Sequence, residues 1–179
     1  MLDNTLVKST LDNFFKTVVK ESKTSLTKKK KNASKTLYNS INYDLKVSDN
    51  SFEGSFEMED YGTLVDQGVK GKGGKKADGT KWKLKKTFGT KFKYKSKKPP
   101  ISAFNGWTIR RGIAPRNKSG QFTSRKSLLF AISNSVYHTG LETTHFFTKP
   151  FEAAFKRLPD ELVKAYGLEV DKFLKITLE

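Results

Sequence analysis

The sequence contains no cysteine, only two histidines and no long apolar run. Without cysteine the chain has no disulfides and no thiolate metal ligands, which suits a reducing, cytosolic environment. No stretch approaches the roughly 18 consecutive apolar residues of a membrane-spanning helix. Residues 1–4 lack the basic and apolar regions of a secretory signal. We therefore expect a soluble protein with no membrane partner.

Catalytic signals are also scarce. On one continuous helix, His138, Glu142 and His145 would share a face and could hold a metal, but Gly140 predicts a break between them. The glycine-rich stretch 70–76 lacks the spacing of a phosphate-binding loop and the Ser or Thr that would hold magnesium. No motif places a nucleophile beside a base. We expect no catalytic residue, no metal site and no cofactor, and hence no enzyme.

Acidic residues are nearly absent from one central segment. Residues 69–126 hold 19 Lys or Arg and a single acid, Asp78, whereas the other 121 residues hold 16 basic and 17 acidic side chains. The segment therefore carries a net charge of +18 and the remainder −1. Such a block repels itself and gains on contact with a polyanion. The pattern predicts a near-neutral body with a basic arm that meets nucleic acid or an acidic protein surface.

Apolar periodicity predicts the elements of the body. A helix with a cap at Asp3 or Asn4 is expected over residues 3–27, and a short helical piece over 34–40. Alternation with period two over 41–59 predicts a β-hairpin whose turn is Ser48–Ser51, followed by a turn or short helix at 61–69. Helices are then predicted from Ser127 to a left-handed Gly140, from Pro150, and from Pro159.

These elements indicate an α+β fold of one domain spanning residues 1–179. The N-terminal helix and C-terminal helices are expected to pack on a small antiparallel sheet, so that 1–69 and 125–179 form the folded body. Residues 70–124 are expected to form a long, mobile, basic hairpin arm. The predicted core consists of Leu11, Phe14, Phe15, Val18, Leu45, Leu129, Ile132, Phe155, Leu162 and Phe173.

The arm alternates lysine with apolar residues at 81–85 and 91–95. An extended strand of this pattern presents one aromatic face and one lysine face. Such a surface suits a single-stranded nucleic acid, and it equally suits an assembly protein that docks on acidic neighbours. We favour protein contact for the rings and DNA or solvent for the lysines. The candidate contact residues are Lys81, Trp82, Lys83, Lys85, Lys91, Phe92, Lys93, Tyr94, Lys95, Trp107, Arg110, Arg111 and Arg116.

The order of three short motifs carries a family resemblance. Leu37-Tyr38-Asn39-Ser40-Ile41 has a Leu-x-x-Ser-Ile pattern, Tyr61-Gly62-Thr63-Leu64-Val65-Asp66-Gln67-Gly68 keeps an acid two residues before a glycine, and Pro150-Phe151 opens a late helix. In this order, over roughly residues 5–69 and 125–178, the chain resembles the head–tail connector proteins of tailed bacteriophages, also called neck, head-closure or tail-completion proteins. It departs from their pattern in lacking a glycine before Leu37 and a second proline after Phe151.

The resemblance implies a structural virion protein at the head–tail junction, assembled in the bacterial host cytoplasm. Copies would form a homo-oligomeric ring around the DNA channel and contact portal or adaptor proteins, tail proteins and, without sequence specificity, packaged DNA. Lysines facing such a channel would gain from phosphate neutralisation and counterion release. The alternative is a sequence-nonspecific nucleic-acid-binding protein of ribosomal or nucleoid type.

Overall fold

The computed structural model describes residues 5–31, 33–48, 51–117 and 119–178. The expected cap at Asp3 or Asn4 and the turn residues Asp49 and Asn50 lie outside these ranges. Phe173 lies within them, but its side chain is not among the described ones. The elements are α1 (Thr5–Lys28), α2 (Thr36–Ser40), β1 (Asn42–Ser48), β2 (Ser51–Glu57), α3 (Gly62–Gln67), β3 (Val69–Lys70), a 3-10 turn (Ile101–Phe104), α4 (Asn105–Arg110), α5 (Arg125–Thr139), β4 (Gly140–Leu141), α6 (Thr148–Phe155) and α7 (Leu158–Leu178).

The predicted α+β class is confirmed, since helices combine with small antiparallel sheets. The chain divides into two compact units. Unit 1 comprises Met1–Lys28, Tyr38–Glu59 and Phe146–Glu179, and unit 2 comprises Lys29–Leu37 and Asp60–His145. Over the described residues, none of the helices is long and apolar enough to cross a membrane.

Unit 1 is built on the apolar face of α1. Phe14, Phe15 and Val18 form a buried cluster with Ala154 of α6 and Leu158 of α7. Their spacing of three and four residues places them on one side of the helix. The half-buried residues Tyr43, Leu45 and Phe56 of the hairpin β1–β2 pack against this cluster. Phe151 of α6 and Phe147, just before α6, pack against it as well. The N-terminal helix is therefore packed, as the sequence predicts.

The hairpin approaches α1 closely enough to require a glycine. In the β1–β2 register Leu45 pairs with Gly54 and Tyr43 with Phe56. The Phe15 ring stacks on Tyr43 with centroids 5.4 Å apart, and a side chain at Gly54 would collide with that same ring. Gly54 thus serves a close approach between sheet and helix.

Unit 2 is organised around α5. Its N-cap is Ser124, whose side chain accepts a hydrogen bond from the Ser127 amide, so the helix begins slightly before the predicted Ser127. Gly140 ends α5 with φ 86° and ψ −176°. The left-handed cap that the sequence predicts is therefore wrong in ψ, because Gly140 continues directly into the β3–β4 pair, opposite Lys70.

The long hairpin expected over 70–124 is not borne out. Strand pairing in its described residues is limited to β3 and to isolated bridges at Lys70–Lys93, Lys75–Lys81 and Arg116–Phe122, and a 3-10 turn and α4 occupy 101–110. A long hairpin would place like charges directly opposite one another, which is destabilising. The structure restricts such pairings to single bridges, at Lys70–Lys93 and Lys75–Lys81.

Two further expectations need correction. Phe155 is 52% exposed and stacks on Phe151 rather than entering the core. Pro150 is the third residue of α6, not the first. Proline tolerates this position because the first-turn amides have no partner within the helix. Of the other predicted core residues, Phe14, Phe15, Val18 and Leu129 are buried, and Leu11, Leu45, Ile132 and Leu162 are half-buried.

Phe15→Ala tests the junction of α1 with the hairpin. The ring contacts Phe14, Tyr43 and Phe56, so its removal leaves a cavity and should lower the free energy of unfolding by about 3–5 kcal/mol. Chemical denaturation measures the loss, with the exposed α1 substitution Glu21→Ala as control. A loss under about 1 kcal/mol would mean that α1 is not packed.

Asp12 gives unit 1 a pH-dependent contact. The Tyr43 hydroxyl donates a 2.6 Å hydrogen bond to its carboxylate, and Lys16 pairs with it. The Lys16 bond, followed by the Tyr43 bond, lowers the pKa of Asp12 below its ordinary 3.8. A lowered folded-state pKa gives stability that is present above the unfolded pKa and lost as pH falls through the folded one.

Asp12→Asn should therefore destabilise the protein by about 1 kcal/mol near neutral pH. The difference from wild type should shrink as pH falls below about 4, where the wild-type carboxylate becomes protonated. Urea denaturation at several pH values measures both. A difference that stays constant across this range would show that the carboxylate charge contributes nothing.

Candidate polyanion-binding surface

The charge of the protein is segregated by unit. Unit 2 holds 23 basic and 4 acidic side chains, a net charge of +19, whereas unit 1 holds 12 basic and 14 acidic ones, a net charge of −2. All 13 lysines between Lys70 and Lys98 are exposed. The ion pairs found among the described residues, Lys16–Asp12 and Lys46–Asp44, both belong to unit 1. Unit 2 therefore presents cations without neutralising partners in the described part of the chain.

The basic segment is tied to the C-terminal end of α5 through its backbone. The last carbonyls of a helix have no partner within it. Here the amides of Lys72, Gly73 and Lys85 donate to the carbonyls of Tyr137, His138 and Thr139, at 2.9, 3.0 and 2.9 Å. These bonds hold the chain in place without using any lysine side chain. The ammonium groups remain available to solvent or to a partner.

The returning part of the segment is held by side chains of α5. Ser133 donates a 2.6 Å hydrogen bond to the Pro99 carbonyl, and the Tyr137 hydroxyl donates one of 2.8 Å to the Lys95 carbonyl. Asn134 accepts from the Lys98 ammonium group at 2.8 Å. One polar face of α5 thus fixes residues 95–99. The sequence pattern did not predict a role for this face, although its polar residues interrupt the apolar pattern of the helix.

Residues 72–82 and residue 98 of the basic segment meet at α5. There they form a lysine–ring cluster of Lys72, Lys76, Trp82, Lys98, Tyr137 and His138. Trp82 stacks on His138 with centroids 5.1 Å apart and planes 5° apart. Lys76 lies 5.3 Å from the centre of the Trp82 ring, and Lys72 and Lys98 lie 5.7 and 5.8 Å from that of Tyr137. Such cation–π contacts contribute about 0.5–1 kcal/mol at exposed sites. They bring three ammonium groups to one cluster.

The predicted alternation of faces is seen at residues 91–95. Lys91, Lys93 and Lys95 are exposed, whereas Phe92 and Tyr94 are half-buried. The Tyr94 ring lies 5.9 Å from that of Tyr137, and burial raises the pKa of Tyr94. The aromatic side of this stretch therefore contacts unit 2 itself. Lys81, Lys83 and Lys85 are likewise exposed on either side of the stacked Trp82.

The candidate residues beyond residue 100 make contacts of their own, separate from the lysine–ring cluster. Arg111 donates to the Lys30 carbonyl at 3.2 Å. Arg116 donates to the Gly120 carbonyl at 2.9 Å and lies 4.0 Å from the centre of the Phe122 ring. Arg110 and Trp107 are exposed on α4. Arg116 thus supports its own turn, and Arg111 joins the end of α4 to residue 30, while both residues stay exposed.

The only acid of the basic segment shapes a turn. Asp78 accepts hydrogen bonds from the amide and hydroxyl of Thr80, at 2.9 and 2.6 Å. The hydroxyl bond, followed by the amide bond, lowers the pKa of Asp78. Gly79 completes this turn with φ 81°. The carboxylate is therefore used locally, between Lys75 and Lys81, which form an isolated bridge.

The histidines have separate structural roles. His138 Nδ1 lies 2.6 Å from the Gly73 carbonyl, and the His145 amide donates to the Asp66 carbonyl at 2.9 Å. No group of three potential metal-ligating side chains occurs among the residues that the structure describes. His138 therefore helps to position the basic segment, whereas the His145 backbone joins the stretch after α5 to Asp66 of α3.

The motif ending in Gly68 also has a structural explanation. The carbonyls of Val65 and Asp66 accept hydrogen bonds from the hydroxyl and amide of Thr144, at 2.6 and 3.0 Å. Gly68 has φ 75°, and a side chain there would crowd the backbone of Leu141 and Thr143. The motif therefore joins α3 to the stretch that follows α5.

Comparison with family models, curated proteins and solved structures finds no match.

Gly140→Ala tests how the basic segment is anchored. Gly140 has φ 86°, and an added Cβ would collide with the Val69 carbonyl and crowd Gly71. Gly79, with φ 81° and open space around it, is a matched control for positive φ alone. Gly79→Ala should cost about 1–2 kcal/mol of unfolding free energy, and Gly140→Ala clearly more.

Limited trypsin digestion supplies the second readout, because the Lys85 amide is bonded to the carbonyl of Thr139, next to Gly140. Cleavage after Lys85 and Lys86 should accelerate in Gly140→Ala and not in Gly79→Ala. Equal cleavage rates in both variants and in wild type would show that the helix end does not restrain the segment.

Proposed function

We propose that this chain is a structural virion protein, a ring-forming connector subunit that joins the portal of a tailed bacteriophage to its tail around the DNA channel. The observation that carries the proposal is the basic surface of unit 2, with a net charge of +19 and 13 exposed lysines between Lys70 and Lys98. A subunit lining a DNA channel gains from such a surface without reading sequence.

The resemblance of the three short motifs supports the connector over other polyanion-binding proteins. In the structure the motifs occupy α2 with the following Ile41, α3 with Gly68, and the first turns of α6. They are framework elements, which fits a protein whose role is assembly. In a ring, contacts between copies would place several basic surfaces around the same DNA.

The second candidate, a sequence-nonspecific nucleic-acid-binding protein of ribosomal or nucleoid type, has its own supporting observation. Leu84, Phe88 and Phe122 are 56%, 63% and 69% exposed beside lysines and Arg116. Exposed rings next to cations suit stacking on unpaired bases. This protein would bind as a monomer or dimer and would need no portal partner.

Assembly state and DNA binding separate the two candidates. Native mass spectrometry and electron microscopy of the protein, alone and with purified portal complexes, should show closed rings for a connector. Free DNA should bind weakly. Monomers or dimers under both conditions, together with strong and steeply salt-dependent DNA binding, would contradict the connector and favour the second candidate.

A charge variant shows which lysines face DNA. Lys81→Gln, Lys83→Gln and Lys85→Gln together should leave rings intact and reduce the slope of log affinity for duplex DNA against log salt by up to about 0.9 per lost contact. Lys149→Gln, Lys156→Gln and Lys164→Gln remove the same charge from exposed positions of unit 1 and serve as the control. Equal slopes for both variants would contradict DNA contact through residues 81–85.

A further inference from the structure

Unit 1 contains a second basic feature that is separate from the segment 69–126. One side of α1 borders a cleft of about 640 Å³, closed on the other side by Tyr38 and Tyr43. The helix contributes Lys16, Val19, Lys20, Lys23, Thr24, Thr27 and Lys28. These positions recur at intervals of three and four and so form one stripe along the helix. The volume is within the range of small-molecule sites.

The lining combines cations with a flat apolar surface. Four lysines and no acid line the cleft. Thr24 and Thr27 use their hydroxyls on the Lys20 and Lys23 carbonyls, at 2.9 and 3.1 Å. The remaining neutral lining is Val19 and the two tyrosines, so a ligand meets rings beside ammonium groups.

Both tyrosines are held in place. Tyr43 stacks on Phe15 and donates its hydroxyl hydrogen to Asp12 at 2.6 Å, and Lys23 lies 5.5 Å from the centre of the Tyr38 ring. Lys16 is also occupied, since it pairs with Asp12. The cations left without an ion pair in the described residues are therefore Lys20, Lys23 and Lys28.

This stripe is costly for an isolated helix. Lys16 and Lys20 are four residues apart, and Lys20 and Lys23 three, and like charges at these spacings repel and destabilise a helix. Unit 1 as a whole is slightly acidic, with a net charge of −2. Four of its twelve basic side chains nevertheless line the cleft, and no acid lines it. An anionic ligand would relieve the repulsion.

We propose that this cleft binds a nucleotide unit, with its base against Tyr38 or Tyr43 and its phosphate at Lys20, Lys23 and Lys28. A base supplies the flat apolar face that the tyrosines match, and phosphate supplies the charge. The nucleotide is either free or part of a single strand, because the cleft is open and the stripe extends about 18 Å from Lys16 to Lys28. An acidic peptide matches the lysines but not the rings.

Photo-cross-linking locates the ligand despite the strong charge of unit 2. The full-length protein is irradiated with a short thymidine oligonucleotide that carries bromodeoxyuridine, and the cross-linked peptides are mapped. Attachment at Tyr38 or Tyr43 is expected. Attachment only at rings of unit 2, such as Trp82 or Phe92, would overturn the proposal. Protection of the tyrosines by thymidine monophosphate would identify a free nucleotide as sufficient, and its failure to protect would identify a strand.

Lys20→Gln with Lys23→Gln tests the phosphate contacts. The oligonucleotide concentration for half-maximal cross-linking at the two tyrosines should rise at least about tenfold, because charged hydrogen bonds are lost. Lys8→Gln with Lys149→Gln removes equal charge from exposed positions of unit 1 outside the cleft and should change it little. Thermal unfolding confirms that both variants fold. The same rise in both pairs, or in neither, would overturn the site.

Competition with a polyglutamate peptide distinguishes an acidic peptide from a nucleotide as the ligand of the cleft. If it blocks cross-linking at the two tyrosines more strongly than a phosphate-bearing oligonucleotide of equal charge, the cleft is a peptide site and the proposal is wrong. The test is independent of the proposed ring, since a monomeric protein with this cleft would give the same cross-links.

Discussion

Mutual repulsion among the cations of unit 2 is the constraint on which its structure depends. With 23 basic and 4 acidic side chains, this unit has too few carboxylates to neutralise most of its cations. Two unit charges about 8 Å apart in water repel by about 0.5 kcal/mol, and the pairs are numerous. The structure limits the cost by leaving every lysine from Lys70 to Lys98 exposed, where solvent and salt screen it.

What holds the segment is therefore its backbone. The carbonyls of Tyr137, His138 and Thr139 accept three amide hydrogen bonds from it, each worth about 1 kcal/mol, and Ser133 and Tyr137 add two side-chain bonds to carbonyls. These contacts use no charged group, so they form at no electrostatic cost. The C-terminal end of α5 can in this way order a strongly cationic chain.

Periodicity and turn signals were enough to predict most regular elements. The spacing of Phe14, Phe15 and Val18 identified the core face of α1, and the alternation after Ile41 identified the hairpin. The close approach at Gly54 was not predictable, because it depends on where the hairpin lies against Phe15. Patterns within one element reveal its faces, whereas contacts between elements need the tertiary arrangement.

The candidate site was predicted in composition but not in form. Charge counting identified the lysines of 81–95, and alternation identified the half-buried side of Phe92 and Tyr94. The anchoring to α5 was not predicted. Hydrogen bonds from backbone amides to a helix end do not depend on the side chains, so the sequence does not indicate them. His138 shows the same limit, since as a residue type it suggested a metal, whereas in the fold it stacks on Trp82.

The anchoring changes which groups can meet a partner. Trp82, Phe92 and Tyr94 are at least half withdrawn from solvent within unit 2, so little of their surface remains to drive association. The large apolar side chains that stay exposed in the described part of unit 2 are Tyr61, Leu84, Phe88, Trp107, Ile109, Phe122 and Phe130. If unit 2 docks on a neighbouring protein, these side chains supply the apolar contact, and the rings of the alternating stretches act by holding the lysines in position. The lysines then set the charge that any partner must match, and the fold of unit 2 sets where that charge is displayed.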